Sequence, residues 1–568
     1  MSEPSEQSRI LMFVALTLVV ILIWMHFFPP PQPPKPRQTA VQTAPAQPSK
    51  TAAKPVISAP AKPVKIPAVS AAKEETITVD SPLYQVELSN RGASVRSWRL
   101  KQYGNDEKPP KPLDLVNADS SQQLGWPFTL LLSDPKLEQE ANTALYQVTP
   151  ADGARLTAPA EITFHWSNEH LDVTKKLTFT PGYELTVDAS VTLDGTPLPF
   201  SIAWRGGFGD KEVANASKLV NVFYHTNGSL ETIKSSKLGV SSDRSKPAQQ
   251  GGHLEFAGIQ DTYFAAAFVP EGADFSMWNW TQDHQFTANG KDQKQAVAEV
   301  AAGTTAAAPL KMKVYVGPKD LNVLNHAKPP LGDLVSFGWT SVIAKPLLYA
   351  LKWVHSYVPN YGWAIVLLTL AINIPLFPLK VMSQRSMQKM QVVAPEMRAI
   401  QDRYKKYSFN DPRKRKMNEE IMELYHQHGI NPLPIGTCLP MLLQLPIWWA
   451  LDRVLMYSIE LRHAPWFGWI HDLSAKDPWY IIPIAMTFGM YWMTKMTPQV
   501  ASVDPAQQKM MKWMPIFMGL LFFEFSAGLN LYVLTSSVVG AGQQYYLNRT
   551  RPMPTRSKFK NKLKKTAS

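Results

Sequence analysis

The sequence has one cysteine, Cys438, among its 568 residues. A single thiol excludes an internal disulfide framework, a multi-cysteine zinc site and an iron–sulfur cluster. Charged residues are also scarce, at 18% of the chain against roughly 25% in an average soluble protein. Because hydrophobic residues make up 45%, we interpret the shortage of charge as a sign that part of the chain lies in a membrane.

The sequence also lacks the short motifs of common enzyme classes. It has no G-x-S-x-G, no phosphate-binding Walker loop and no H-E-x-x-H zinc motif. The histidines between residues 150 and 300 are scattered rather than paired at ligand spacing: His165, His170, His225, His253 and His284. We therefore expect no catalytic residue, no metal site and no cofactor, and we expect that the protein is not an enzyme.

The N-terminal segment, residues 1–28, contains a run of nineteen residues that is interrupted only by Thr17 and His26. At about 1.5 Å rise per residue, such a helix crosses a hydrocarbon core of roughly 30 Å. A cleaved signal peptide is the alternative, but Glu3 and Glu6 precede the run and no small-x-small cleavage site follows it. We predict an uncleaved transmembrane anchor.

A linker and a β domain follow the anchor. Residues 29–72 contain twelve prolines, a composition that predicts an extended tether without a core. Over residues 75–320, apolar residues alternate with polar ones, and turn signals such as Asp194-Gly195 separate the runs. We predict a large antiparallel β-sandwich. The clearest alternations are Tyr84, Val86, Leu88; Leu185, Val187, Ala189, Val191, Leu193; and Leu310, Met312, Val314, Val316.

The last part of the chain reads as a membrane domain. Residues 333–357 combine aromatic residues with Lys345, Lys352 and His355 in a helical pattern. That pattern predicts an amphipathic helix in the membrane interface, with packing against the β domain as the alternative. Residues 361–548 are predicted to form a five-span core, so that the anchor brings the total to six transmembrane helices. The five runs are 361–380, 434–457, 479–496, 511–526 and 528–547.

The distribution of Lys and Arg predicts the orientation of these helices. Residues 380–428 hold eleven Lys and Arg against six acids, and residues 548–568 hold eight and no acid. The positive-inside rule places both segments, and with six spans both termini, in the cytoplasm. The loop 458–478 and the β domain are then outside, despite two basic residues beside the anchor, because long domains translocate largely regardless of charge.

Residues 382–428 predict a cytoplasmic hairpin of two helices, 382–408 and 412–428, separated at Asn410-Asp411-Pro412. We interpret its apolar stripe as a surface for lipid or another protein, because an exposed apolar face needs a partner. A charged loop that only sets the topology is the alternative. The stripe consists of Met387, Met390, Val393, Met397 and Ile400.

Several residue strings of the membrane part together resemble a known family. They are Leu351-Lys352-Trp353-Val354-His355, Asn360-Tyr361-Gly362-Trp363, Asn431-Pro432-Leu433, Trp469-Ile470-His471-Asp472-Leu473-Ser474 and Asp504-Pro505. Over about 333–548, the chain resembles the YidC/Oxa/Alb membrane protein insertases, and its order of segments resembles the Gram-negative YidC form. The resemblance implies a periplasmic β-supersandwich and a core whose water-filled groove opens to cytoplasm and lipid and is closed outside.

The chain departs from this family at the groove. The family usually places an arginine in the first core span, where this chain has Asn373, and no Lys or Arg occurs between Tyr361 and Leu379. An electropositive groove therefore does not follow from the sequence. We hypothesise an intramembrane pair between Arg453 and Glu524. The alternative is that Arg453 and Asp452 lie at the outer interface and that Glu524 simply meets water. The candidate groove residues are Asn373, Thr369, Gln444, Glu524, Tyr532, Thr535 and Ser536.

The resemblance implies an insertase and chaperone for nascent membrane proteins in the cell inner membrane, acting alone or with the Sec translocon. Basic residues of the hairpin and of the tail 549–568 are candidates for contact with the ribosome or anionic lipids. An envelope-assembly scaffold, and a secondary transporter that uses Glu524 and Arg453, stay open as alternatives. The candidate contact residues are Arg413, Lys414, Arg415, Lys416, Lys558, Lys560, Lys562, Lys564 and Lys565.

Overall fold

The computed structural model divides into two compact units, which meet in the sequence between Val335 and Ser336. The predicted anchor, most of the predicted linker and residues 551–568 of the basic tail lie outside the described residues. The candidate tail residues Lys558, Lys560, Lys562, Lys564 and Lys565 are among them. The described residues are 67–150, 155–211, 219–272, 275–288, 291–407, 411–428, 435–496 and 505–550.

The first unit is a β domain whose described strands form three sheets. Neighbouring strands are antiparallel except for one parallel pair, β1 with β7. A five-stranded sheet in the order β4-β3-β2-β1-β7 contains β1 Thr76–Asp80, β2 Tyr84–Ser89, β3 Ser94–Gly104, β4 Pro112–Asp114 and β7 Arg155–Thr157. A second in the order β15-β18-β19-β12-β5 contains β5 Thr129–Leu131, β12 Ser201–Trp204, β15 Ala248–Gln250, β18 Ser276–Ala288 and β19 Lys291–Gly303.

A ten-stranded sheet is the largest layer of this domain. Its order is β14-β13-β16-β17-β20-β10-β9-β8-β6, with β11 paired to β10. The first five-stranded sheet packs on it through Tyr84 and Trp98, whose rings both contact Phe179. Its strands are β6 Gln147–Thr149, β8 Ala160–Ser167, β9 Leu171–Phe179, β10 Glu184–Leu193, β11 Thr196–Pro197, β13 Asn221–Thr226, β14 Ser229–Lys234, β16 Leu254–Gln260, β17 Phe264–Pro270 and β20 Leu310–Pro318.

The period-two patterns explain this architecture. The predicted alternations fall on β2, β10 and β20, and all but one of their apolar residues are buried, Leu193 being half-buried. Asp194 and Gly195 both have positive φ, 50° and 78°, in the tight turn between β10 and β11, a conformation that favours Asp or Asn followed by Gly. The predicted large antiparallel β domain is therefore confirmed.

Both units contain helices. The β domain contains α1 Ala118–Leu124, α2 Pro135–Thr143 and α3 Leu321–His326. The second unit contains α4 Ser341–Tyr357, α5 Tyr361–Arg403, α6 Arg413–Gln427, α7 Ile435–Tyr457, α8 Ile481–Met496, α9 Pro505–Phe522 and α10 Ala527–Thr550. Short 3-10 turns lie at Ser235–Lys237, Gly332–Leu334, Gly338–Thr340 and Ile459–Leu461.

Helix α5 corrects a predicted boundary. The first predicted span and the first predicted hairpin helix are one helix of 43 residues, about 64 Å long at 1.5 Å per residue. Pro375 and Pro378 lie inside it without ending it. The predicted elements 361–380 and 382–408 are therefore continuous, because a proline can be accommodated within a long helix that neighbouring helices support.

The hairpin corrects the interpretation of its apolar stripe. Val393, Met397 and Ile400 of α5 are buried against Met417 and Leu424 of α6, and Met390 packs against the same cluster. The stripe is therefore covered by the second helix of the hairpin itself. The prediction that it needs lipid or another protein as a partner is wrong for these residues.

Helix α4 has the predicted amphipathic character. Its face with Ala344, Leu348 and Leu351 is buried, whereas Trp353 and Tyr357 are exposed. Among the described helices, only the segment Tyr361–Gln384 is both long and apolar enough to cross a membrane by length and composition, and Trp513–Phe522 is a shorter apolar stretch. The count of six transmembrane helices stays a prediction.

Candidate functional site

Helices α5 and α10 pack against each other, and polar side chains are joined across their contact. Asn373, Lys380 and Gln384 lie on α5 at spacings of seven and four, which keeps them on one helix face. Gln543 and Asn548 lie on α10. We call these five residues the polar seam.

Lys380 is the centre of the polar seam. Its ammonium nitrogen Nζ donates to Asn373 Oδ1 at 2.9 Å and to Gln543 Oε1 at 3.1 Å. Asn373 is only 2% exposed, and its Nδ2 donates to the carbonyl oxygen of Thr369 at 2.8 Å. That bond turns the amide oxygen of Asn373 towards Lys380.

The seam continues along α10. Gln384 Nε2 donates to Asn548 Oδ1 at 3.1 Å, and Asn548 Nδ2 donates to the carbonyl oxygen of Met496 in α8 at 3.2 Å. These amide hydrogen bonds join α5, α8 and α10.

The structure brings most of the other candidate groove residues to the same helices. The Tyr532 hydroxyl of α10 faces the side chains of Gln444 and Ser536. Thr369 is buried and its hydroxyl donates to the carbonyl oxygen of Ile365, whereas the Thr535 hydroxyl donates to its own helix. A second small polar cluster, Gln444, Tyr532 and Ser536, therefore connects α7 with α10.

Arg453 and Glu524 are not brought together, so the hypothesised intramembrane pair is wrong. The Glu524 carboxylate is exposed and pairs with Lys476. Arg453 Nη1 instead donates to the hydroxyl of Tyr457 at 3.1 Å, one turn along α7. Glu524 follows the end of α9 and meets the loop before α8, where water can solvate both ions. It does not line the polar seam.

The loop 458–480, between α7 and α8, packs compactly at one end of the helices. We call this loop the closure. Asp477 is only 1% exposed; its carboxylate accepts from Trp469 Nε1 at 2.9 Å, from the Trp479 amide at 3.0 Å and from the Ile482 amide at 2.7 Å. The amide of Gly528 donates to the carbonyl oxygen of Leu473 at 2.8 Å. The closure therefore ties the start of α8 and the start of α10 to one loop.

The start of α5 is held by the same loop. Asn360 caps the helix by accepting from the Trp363 amide at 3.2 Å, and its Nδ2 donates to the carbonyl oxygen of Trp466 at 3.2 Å. A side chain at Gly362 would meet Trp466 at 2.1 Å. Glycine is thus required there, which explains this part of the string Asn360-Tyr361-Gly362-Trp363.

The candidate basic residues of the hairpin differ in their surroundings. Arg413 pairs with Asp411 and lies over the ring of Tyr407 at 3.8 Å. The Arg413 guanidinium holds the pKa of Asp411 below its ordinary value. Lys414 is half-buried, whereas Arg415 and Lys416 are exposed on the first turn of α6.

The residues that sequence reasoning missed are Lys380, Gln384, Gln543 and Asn548. Lys380 belongs to the predicted basic segment 380–428 and directly follows the stretch Tyr361–Leu379, which has no Lys or Arg. The spacing of seven between Asn373 and Lys380 was the available signal, because two helical turns return to the same face. In the part of the chain that the structure describes, no group of three His, Cys, Asp or Glu is placed to hold a metal ion.

Two family models match the chain. The model of the 60Kd inner membrane protein matches residues 353–555, and that of the YidC periplasmic domain matches residues 76–350. Among the relatives that carry the name membrane protein insertase YidC, three illustrate the similarity. They come from Syntrophus aciditrophicus (32% identity, 95% of this chain and 99% of the relative), Citrifermentans bemidjiense (34%, 96% and 99%) and Geobacter sulfurreducens (35%, 96% and 98%).

Proposed function

The chain belongs to the YidC family of membrane protein insertases, and from this premise we propose that its clients enter the bilayer along the polar seam. The observation that supports this proposal is that Lys380 donates hydrogen bonds to Asn373 and Gln543 where two helices pack against each other. Lysine and amides at such a contact are costly in lipid and mark a functional path.

The physical task of an insertase explains why such a path is useful. A client is a nascent membrane protein whose polar segment must cross about 30 Å of hydrocarbon. Polar side chains part-way across reduce the cost, because they keep water and hydrogen-bond partners near the moving segment. Burial of the client's own apolar helix then supplies the driving force, so no nucleotide is needed.

We further propose six transmembrane helices, with both termini in the cytoplasm and the β domain in the periplasm. The two longest candidates after α5 support this number: α7 and α10 have 23 and 24 residues, about 35 Å each at 1.5 Å per residue. The closure around Asp477 then lies on the periplasmic side, and the seam opens towards the cytoplasm and lipid. Acidic Asp472 and Asp477 in that loop suit an outer position.

The partners that we propose are nascent membrane proteins, the ribosome, anionic lipids and the Sec translocon. The exposed Arg415 and Lys416 of α6 support contact with phosphate groups, because their positive charge attracts RNA or lipid headgroups without a specific sequence. Arg413 contributes less, since Asp411 already compensates its charge. Cooperation with the Sec translocon follows from the family resemblance alone.

The test is insertion into liposomes by the purified full-length protein. A single-span client with a short neutral tail is added, and protease protection of the tail is compared with that in empty liposomes. Protection above the empty control supports an autonomous insertase. Protection only when Sec translocon is added would restrict the protein to assisted insertion, and no protection in either case would favour the envelope-assembly scaffold.

A further inference from the structure

We propose that His225 is a pH-sensitive latch of the β domain. Its protonated ring holds the last turn of the domain, Gly332–Leu334, against the ten-stranded sheet through Asp333, and loss of the proton loosens that turn. The chain continues from this turn into the second unit, which begins after Val335. The latch therefore acts on the segment that connects the two units. This inference goes beyond the proposed function and concerns contacts within the β domain alone.

The first argument is that the ring of His225 lies between two carboxylates. His225 is on β13 and is only 5% exposed. Its Nδ1 lies 3.1 Å from Glu255 Oε2 of β16, and its Nε2 lies 3.5 Å from Asp333 Oδ2 of the turn. The ring also stacks on Phe256, with the ring centroids 4.7 Å apart. Glu255 is itself fixed, because its Oε1 accepts from the amide of Gly228 at 3.2 Å. The ring thus bridges the sheet and the turn.

The second argument is the number of N–H groups on the ring. A neutral imidazole has one N–H and one lone pair, so a lone pair would face one of the two negative charges. The imidazolium presents an N–H to both carboxylates and compensates their charge. Histidine is the side chain that ordinarily gains or loses its proton between pH 5 and 8, whereas carboxylates ordinarily stay ionised over most of that range. The bridge is therefore complete at the acidic end of the range and weakened at the alkaline end.

The other charged groups of the neighbouring strands are not placed to replace these partners. On β14, the apolar Leu230 stands opposite His225. Glu231 stands opposite Tyr224 and so belongs to the other face of the sheet. Lys234 lies at the far end of β14. β19 also packs against β13, and among the described residues no ion pair joins it to His225. Glu255 and Asp333 therefore decide how the charge of the ring is compensated.

The third argument is that the turn is otherwise held by contacts that do not titrate in this range. Leu331 and Leu334 are buried, and the amide of Leu331 donates to the carbonyl oxygen of Leu324 in α3 at 2.9 Å. The histidine of α3, His326, is exposed, and its Nδ1 lies 2.6 Å from the carbonyl oxygen of Asn322 in its own helix. The latch can therefore loosen the turn without unfolding the domain, because the apolar contacts stay in place.

The experiment measures backbone amide exchange of the full-length protein at pH 5.5 and pH 8, with each rate corrected for the intrinsic exchange rate at that pH. The readout is the protection of the peptide 331–337, in which the amides of Leu334 and Val335 donate to carbonyl oxygens of the turn. Protection in the wild type should be about fivefold higher at pH 5.5, the order that an ion pair with partly exposed carboxylates contributes. Amides of the β9–β10 pair report on global unfolding and should not gain protection at pH 5.5.

Asp333→Asn and His225→Gln should each abolish this pH dependence, because each removes one charge of the bridge. Asp333 is exposed on the turn, so its variant keeps the test decisive if a change at the buried His225 prevents folding. His253→Gln changes an exposed histidine just before β16; it is the matched control and should equal the wild type. Equal protection of the turn at both pH values in the wild type, or an unchanged pH dependence in Asp333→Asn, would overturn the proposal.

Discussion

Lys175 allows a quantitative prediction about the β domain. It occupies an inward position of β9 and is 1% exposed; its Nζ donates to the carbonyl oxygens of Gly92 at 3.0 Å and Phe128 at 2.9 Å. Burial lowers the pKa of Lys175 from 10.5 to about 7. One pKa unit corresponds to about 1.4 kcal/mol, so the buried charge costs the folded domain about 5 kcal/mol at low pH.

The sign of the pH dependence follows from proton binding. Between pH 7 and 10.5 the unfolded chain keeps the proton that the folded chain has released, so stability rises with pH. The contribution of Lys175 should increase by about 2 kcal/mol from pH 7 to pH 9, because the folded group is half-protonated at pH 7. Lys175→Met abolishes this dependence, and it also leaves buried carbonyl groups without a donor, at about 1–3 kcal/mol each.

The assay measures the free energy of unfolding of the β domain within the full-length protein. The protein is unfolded with urea at pH 7, 8 and 9, and pulse proteolysis reports the unfolded fraction. The variant Lys175→Met should be less stable than the wild type at pH 9, and the difference in free energy of unfolding should narrow by about 2 kcal/mol at pH 7. Lys176→Met, whose exposed lysine pairs with Glu161, is the control and should show no such change. If wild type and Lys175→Met shared one pH dependence, the buried-charge argument would be refuted.

Other predictions concern the helical unit. Leu424→Ala should destabilise the hairpin by about 3 kcal/mol, because Leu424 is buried between α5 and α6; amide exchange in α6 should accelerate about a hundredfold. Asp477→Asn should lower the melting temperature and speed exchange near the start of α8, since the carboxylate accepts three hydrogen bonds. Arg453→Gln and Glu524→Gln should act additively on stability in a double-mutant cycle, because the two side chains are not paired.

Each of these has an outcome that contradicts it. Unchanged exchange in α6 of Leu424→Ala would mean that the stripe on α5 is covered by something other than α6. A normal melting temperature for Asp477→Asn would mean that the loop is not a rigid closure. Coupling between Arg453 and Glu524 would restore the intramembrane pair, and with it the transporter reading.

Sequence reasoning succeeded where one local pattern corresponds to one structure. The alternations of β2, β10 and β20 predicted buried strands, because side chains of a strand point to opposite faces in turn. The residue strings around Asn360 and Trp469 indicated the family, and the relatives confirm it. The strings also belong to the closure. Asn360 donates to Trp466 and Trp469 donates to Asp477, in the loop that holds the N-terminal starts of α5 and α8.

Sequence reasoning failed where a side chain or an apolar surface has several possible partners that are distant in the sequence. Glu524 had two possible cations, and only the fold shows that Lys476 lies beside it. The local sequence does not identify what covers the apolar stripe of α5, whereas the structure shows that α6 covers it. In both cases, the way in which a loop or hairpin folds back decides which residue is the nearest neighbour in space. The local hydrophobic periodicity of the sequence does not contain that information.

The sequence by itself determined the class of the protein: a β domain, a membrane part and the family to which both belong. It did so because hydrophobic period, charge distribution and motif order are properties of the linear chain. Only the tertiary structure decided that the seam holds a cation. Lys380 reaches Asn373 because α5 continues as one helix past two prolines, and Gln543 joins them because α10 packs against that face. The spacing of seven allows Lys380 and Asn373 to share a helix face, but only the packing of α10 brings Gln543, 163 residues away, to the same ammonium group.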